Sequence, residues 1–89
     1  MTSANIPVDV LCVCSAAGQI RPLRLQMQAP EEGMQRIDID QILSTKQICS
    51  TGAEAQVYRC RACVGGGVQV FDLKYLIRAH RWYLSPRNG

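Results

Sequence analysis

Apolar and polar residues alternate with a period of two over several parts of this 89-residue chain, the habit of half-buried β-strands. From Pro7 to Ser15, Val8, Val10, Cys12 and Cys14 share one face, with Asp9, Leu11 and Val13 opposite. Ala16-Ala17-Gly18-Gln19 then reads as a turn, Gly18 being its left-handed residue. Ile20 to Ala29 has the cleanest alternation: Leu23, Leu25 and Met27 point one way, Arg24, Gln26 and Gln28 the other. Pro22 has no amide hydrogen to give to a ladder, so it belongs at that strand's beginning or on an edge. Pro30 and Gly33 punctuate a second turn over 29–33. Met34 to Ser44 predicts a third strand, Ile37 and Ile39 against Asp38 and Asp40, whose phase slips at Gln41. A bulge near Gln41, or a short helical turn over 40–43, restores it. No period survives from Thr45 to Gln56, and the stretch around Ser50-Thr51-Gly52 reads as a loop.

The centre of the chain is Val57 to Leu73, V-Y-R-C-R-A-C-V-G-G-G-V-Q-V-F-D-L, in which two apolar-rich runs flank Gly65, Gly66 and Gly67. Glycines tolerate positive φ, so the runs can reverse there and pair as a β-hairpin. In a regular strand Tyr58, Cys60, Ala62 and Val64 take one face, and Arg59, Arg61 and Cys63 the other. Beyond it the pattern is ambiguous. Phe71, Leu73, Tyr75 and Ile77 alternate as in a strand, but Leu73, Leu76, Ile77, His80 and Leu84 also line one helical face that Asp72 could cap. Trp82-Tyr83-Leu84 favours strand, and Ser85-Pro86 ends the element. The expectation is strand, turn, strand, with a short helix over 73–80 as the alternative. These elements predict an all-β fold: one compact domain over residues 1–89, with five or six antiparallel strands in a meander or small barrel. Its core is expected from Val8, Val10, Leu23, Leu25, Met27, Ile37, Ile39, Tyr58, Val70, Phe71, Leu73 and Trp82.

Composition supports a folded domain: 47% hydrophobic and 19% charged residues are globular proportions. No run approaches the roughly 20 apolar residues of a spanning helix, and Met1 to Pro7 lacks the basic flank of a secretory signal. A cytoplasmic protein without membrane partners is expected. The net charge of +3 is unevenly spread: residues 1–55 sum to −2 and residues 56–89 to +5. A basic C-terminal half can attract an anionic partner or serve as a solvated face.

Cys12, Cys14, Cys49, Cys60 and Cys63 are an odd set without an export signal, which argues for reduced thiols over a disulfide framework. Cys12, Cys14, Cys60 and Cys63 could form a four-thiolate zinc site, since Tyr58-x-Cys60-x-x-Cys63 followed by glycines looks like half a zinc ribbon. Face-counting opposes it: Cys60 and Cys63 project to opposite sides of a strand, and the C-x-C pair has too short a spacer. No cofactor is expected, with zinc the alternative. A redox C-x-x-C needs a helix N-terminus that is not visible here. Asp38 and Asp40, two apart on one strand face, could hold a cation but read more simply as a solvent face. His80 in Arg78-Ala-His-Arg81 has no evident catalytic company, and Gly65–Gly67 lack the lysine and following helix of a phosphate loop. Arg59, Arg61, Arg78, Arg81 and Tyr83 are the candidate binding surface, with Tyr75 and Trp82 as further stacking groups for a nucleic acid.

Several short motifs, Val8-Asp-Val10, Gly18-Gln-Ile-Arg-Pro-Leu23, Ile39-Asp-Gln-Ile-Leu43, Gly52, Val57-Tyr-Arg-Cys-Arg61 and Arg81-Trp-Tyr83, run nearly the whole chain. In that order they resemble a group of short bacterial proteins of unassigned function. The resemblance implies an all-β fold with Cys60 in an ordinary strand, and it brings no substrate or catalytic residue. The departure is at 73–80, longer and more basic than that pattern's hairpin. The function expected is a non-enzymatic binding or interaction module, working with a protein partner or by self-association through an edge strand. The alternative is a small zinc-binding or nucleic-acid-binding adaptor.

Overall fold

The computed structural model describes residues 6–29, 33–50 and 53–86. It is all-β: β1 (Ile6–Cys14), β2 (Ile20–Ala29), β3 (Gly33–Asp38), β4 (Gln41–Ser50), β5 (Ala53–Val64), β6 (Gly67–Leu76) and β7 (Arg81–Pro86). The polar lead over 2–5 and the turn residues 30–32 and 51–52 lie outside the described residues. The strands form one sheet in the order β3-β2-β1-β7-β6-β5-β4, antiparallel at every ladder. Hairpins build each half, and the last strand returns to the first, Ile6 opposite Leu84 and Val8 opposite Trp82.

The sheet curls, and its core shows why it must. Leu25 on β2 and Tyr58 and Cys60 on β5 lie in one buried cluster with Ala62, Phe71, Leu73 and Leu84, although three strands separate β2 from β5 in the sheet order. A flat sheet would leave those side chains apart and wet; burying a leucine or phenylalanine is worth about 2 kcal/mol, and curling collects several. The outermost strands are consecutive in the chain. Ile39 gives its amide to the Leu23 carbonyl on β2, at 2.9 Å, and Asp40 gives its amide to the Arg61 carbonyl on β5, at 2.8 Å. Within two residues the chain thus changes partners from one end of the sheet to the other.

Seven strands replace the five or six expected, because the third predicted strand divides at this switch. The phase slip has two sources: the break at Ile39–Asp40, and a register shift in which Ile42 faces Cys60 and Ser44 faces Arg59, leaving Leu43 as the extra residue. The stretch over 45–56, read without a period, is paired strand on both sides of the loop expected around Ser50-Thr51-Gly52, Lys46 opposite Val57 and Ile48 opposite Ala55, with residues 51–52 outside the described residues. Its missing periodicity has a plain cause: residues 43–49 are exposed on both faces, so neither is selected for apolar residues.

A further correction concerns β2, while the 73–80 segment follows the expected strand, turn, strand. Leu11 faces Arg24 but Cys12 faces Pro22, so Leu23 is an extra residue in β2; it is exposed, and fully buried Pro22 sits in the core in its stead. Among the described residues there is no helix over 73–80. β6 runs to Leu76, residues 77–80 turn, and β7 begins at Arg81, a register that sets Tyr75 opposite Trp82 with ring centroids 4.7 Å apart. Val70, counted toward the core, lies on the other face from Phe71 and is half-buried. The central hairpin is as read: Gly65 and Gly66 turn with φ of +60° and +82°, closing Val64 against Gly67. Two consecutive left-handed residues match the right-handed twist of the strands they join.

Candidate functional site: the open end and the outer face of the sheet

One end of the curled sheet is open. A cavity of about 500 Å³ there is lined by Gly18 and Gln19 of the β1–β2 turn, by Arg21 at the start of β2, by Thr45 and Gln56, and by Tyr58 and Tyr75. β5 brings Tyr58 to its floor, where the hydroxyl donates to the Ile20 carbonyl at 2.8 Å. That bond ties the β1–β2 turn to the opposite half of the sheet. Burial, then the neighbouring Cys12, Tyr75 and Cys60, push the Tyr58 hydroxyl above its ordinary value, so it stays a donor through neutral pH. Trp82 stacks at a tilt against Tyr58 (5.7 Å) and Tyr75 (4.7 Å). His80, in the left-handed region at φ 55°, brings Nδ1 to within 3.0 Å of the Tyr75 hydroxyl. Tyr75 and Trp82 are therefore committed to the interior face and are no surface stacking platform.

Cys60 and Cys63 lie as face-counting predicts, whereas Cys12 and Cys14, which share a face with Val8 and Val10 and so are expected toward the core, are exposed. Cys60 is completely buried, Cys63 is exposed on the other side of the same strand, and Cys12, Cys14 and Cys49 are exposed. β7 pairs with β1 only at Ile6–Val8, so Cys12 and Cys14 lie on the part of β1 that has no ladder neighbour on that side. Burial, and secondarily Asp72, push the Cys60 thiol up to about 12, which makes it inert as a nucleophile or thiolate ligand at neutral pH. Among the described residues no three His, Cys, Asp or Glu side chains gather as a metal-binding group. The four candidate zinc ligands Cys12, Cys14, Cys60 and Cys63 are not brought together. Asp38 and Asp40 each face an arginine instead: Arg24 Nε donates to Asp38, and Arg61 Nη1 to Asp40 at 2.8 Å.

The outer face of β4–β7 carries most of the predicted basic residues. Arg59 and Arg61 lie on it, and Arg59 Nε donates to Asp72 at 3.2 Å, so both arginines are ion-paired. Tyr83 and Arg81 alternate with inward-facing Trp82 and Leu84, which places them on this face; Arg78 is exposed in the β6–β7 turn. Two residues escaped the sequence reading. The ladders align Lys46, Val57, Lys74 and Tyr83 in a single row across β4, β5, β6 and β7. Lys46 and Arg59 line a shallow groove of about 110 Å³ with Ser44, Val57 and Asp72. Val57 is buried although it is on the outside, and its register neighbours are the two lysines, whose stems can lie over it. Only the ladder register, which a linear pattern does not give, reveals that row.

The other exposed feature is an edge. Among the described residues, β4 pairs with β5 on one side and with no strand on its other side, for ten residues holding a single charge, Lys46, and no proline. The opposite edge, β3, has six residues, two of them charged, Arg36 and Asp38. No family model, curated protein or solved structure matches the chain.

Proposed function

We propose that this chain is a non-enzymatic interaction module whose binding element is the free edge of β4, and that it pairs there with a second copy of itself. The observation that carries the reading is the length and neutrality of that edge. Proteins blunt exposed edges with short strands, charge, proline or a covering loop. β3 is short and charged, whereas β4 is ten residues long with one charge. An unblunted edge offers a row of backbone donors and acceptors to an added strand, and pairing about a twofold satisfies both copies at once. Leu43 and Ile48, exposed by 44% and 36%, supply apolar contact beside the backbone bonds.

Sedimentation equilibrium from micromolar to submillimolar concentration tests it. The wild type should dimerise, Leu43→Lys/Ile48→Lys should be monomeric, and Met34→Lys on the β3 edge should dimerise as the wild type does. A wild type that stays monomeric throughout the range, or a double variant that still dimerises, overturns the proposal.

A further inference from the structure

The charge on this fold is sorted by face. The outer surface of β4–β7 holds Lys46, Arg59, Arg61, Lys74 and Arg81, and its two carboxylate contacts, Asp72 and Asp40, are engaged by Arg59 and Arg61. Lys46, Lys74 and Arg81 remain over after that pairing, with Arg78 beside them in the turn. Lys46 and Lys74 stand in one row, two strands and so about 10 Å apart, and the row runs on to half-exposed Tyr83 on β7, itself opposite Pro7 on β1. Arg81, opposite Leu76, follows one step along the same face. The row crosses the strands instead of running along one, so a chain lying over it meets cation, apolar floor, cation and aromatic ring in succession.

We propose that this face binds single-stranded nucleic acid, with Lys46, Lys74 and Arg81 on phosphates and Tyr83 stacked on a base. Charge complementarity selects an anionic polymer, and the ring that follows the lysines in the row selects one with planar groups over an acidic polypeptide. The nearly neutral Val57 floor lets the lysines bend toward the ligand without losing an acidic partner. This inference is independent of strand pairing at β4, since the face and the edge are different surfaces of the same strand.

Fluorescence anisotropy with a labelled oligo-dT strand tests it, beginning at about 50 mM salt. Lys46→Gln/Lys74→Gln keeps the stems over Val57 and should weaken binding tenfold or more. It should also flatten the plot of log affinity against log salt by about 1.4, at roughly 0.7 per phosphate contact on a single strand. Tyr83→Leu should weaken binding about fivefold or more without changing that slope. Arg21→Gln/Arg36→Gln removes the same charge from the other half of the sheet and should change neither quantity. Three results overturn the proposal: no binding at low salt, equal loss in the Arg21/Arg36 control, or polyglutamate competing as well as unlabelled oligo-dT. The last would assign the face to an acidic polypeptide. Circular dichroism of each variant establishes that the fold is retained, so that any lost binding reads on the face itself.

Discussion

Alkaline pH should unfold this protein through a single buried thiol. Cys60 is completely buried, and its thiol is pushed from 9.0 to about 12, first by burial and then by Asp72. The thiol is thus neutral in the fold and free to ionise once exposed. Raising the pH draws a proton from the unfolded chain before the folded one, so ionisation favours unfolding. The stability Cys60 contributes is whole below pH about 9, falls through the interval, and is lost above about 12. Each unit of difference is worth roughly 1.4 kcal/mol, so between pH 8 and 11 the loss is about 3 kcal/mol. Small domains hold roughly 5–15 kcal/mol in all, so such a loss is large. Tyr58, also raised, adds in the same direction at higher pH. Urea unfolding under a reductant at several pH values reads the total, and Cys60→Ala isolates the thiol, because the packing it loses does not depend on pH. Wild type should shift its midpoint toward lower urea by on the order of 2 M more than Cys60→Ala does between pH 8 and 11. Equal shifts in the two proteins would refute the argument.

Other perturbations have equally direct readouts. With a thiol-specific chromogenic disulfide, the exposed Cys12, Cys14, Cys49 and Cys63 should react in the native protein, and Cys60 only on unfolding; five fast thiols would place Cys60 outside the core. Gly66→Ala should cost about 1–2 kcal/mol in denaturant unfolding: φ there is +82°, and nothing lies within 4 Å of an added Cβ, so the cost is conformational and not steric. Gly66→Asn should recover part of it, since asparagine accepts the left-handed region. Tyr58→Phe should cost about 1 kcal/mol by removing the hydroxyl's bond to Ile20. Amide exchange should quicken in the β1–β2 turn, and an unchanged turn would show that the bond holds nothing.

What the sequence made legible follows from where one face is wet and the other dry. The central hairpin reads correctly because Tyr58, Cys60 and Ala62 are buried while Arg59, Arg61 and Cys63 are on the outside. The same test separated Cys60 from Cys63 and so dissolved the C-x-x-C motif. β4 was illegible because both of its faces are exposed beyond the bulge at Leu43, and period two is written only by one-sided burial. Leu23 and Pro22 exchanged places because one extra residue in β2 inverts the phase, and nothing local distinguishes a bulge from a continuous strand. The candidate site was half visible. Tyr83 and Arg81 belong to a conspicuous basic, aromatic cluster, whereas Lys46 and Lys74 are ordinary lysines until the ladders set them in one row.

The partner switch at Ile39–Asp40 also divides the molecule mechanically. Among the described residues, the shell β1–β3 and the shell β4–β7 meet in regular ladder at one place only, the three pairs between β1 and β7. The covalent crossing lies at the opposite side, and the Tyr58–Ile20 bond spans the open end between them. Two shells joined along a short seam and by a two-residue strap make a hinge, with the tyrosine as its clasp. Releasing the clasp costs about one hydrogen bond, but parting the shells would also pull Leu25 on β2 away from Tyr58 and Cys60 on β5, so the shared core and not the clasp sets the cost of widening the mouth.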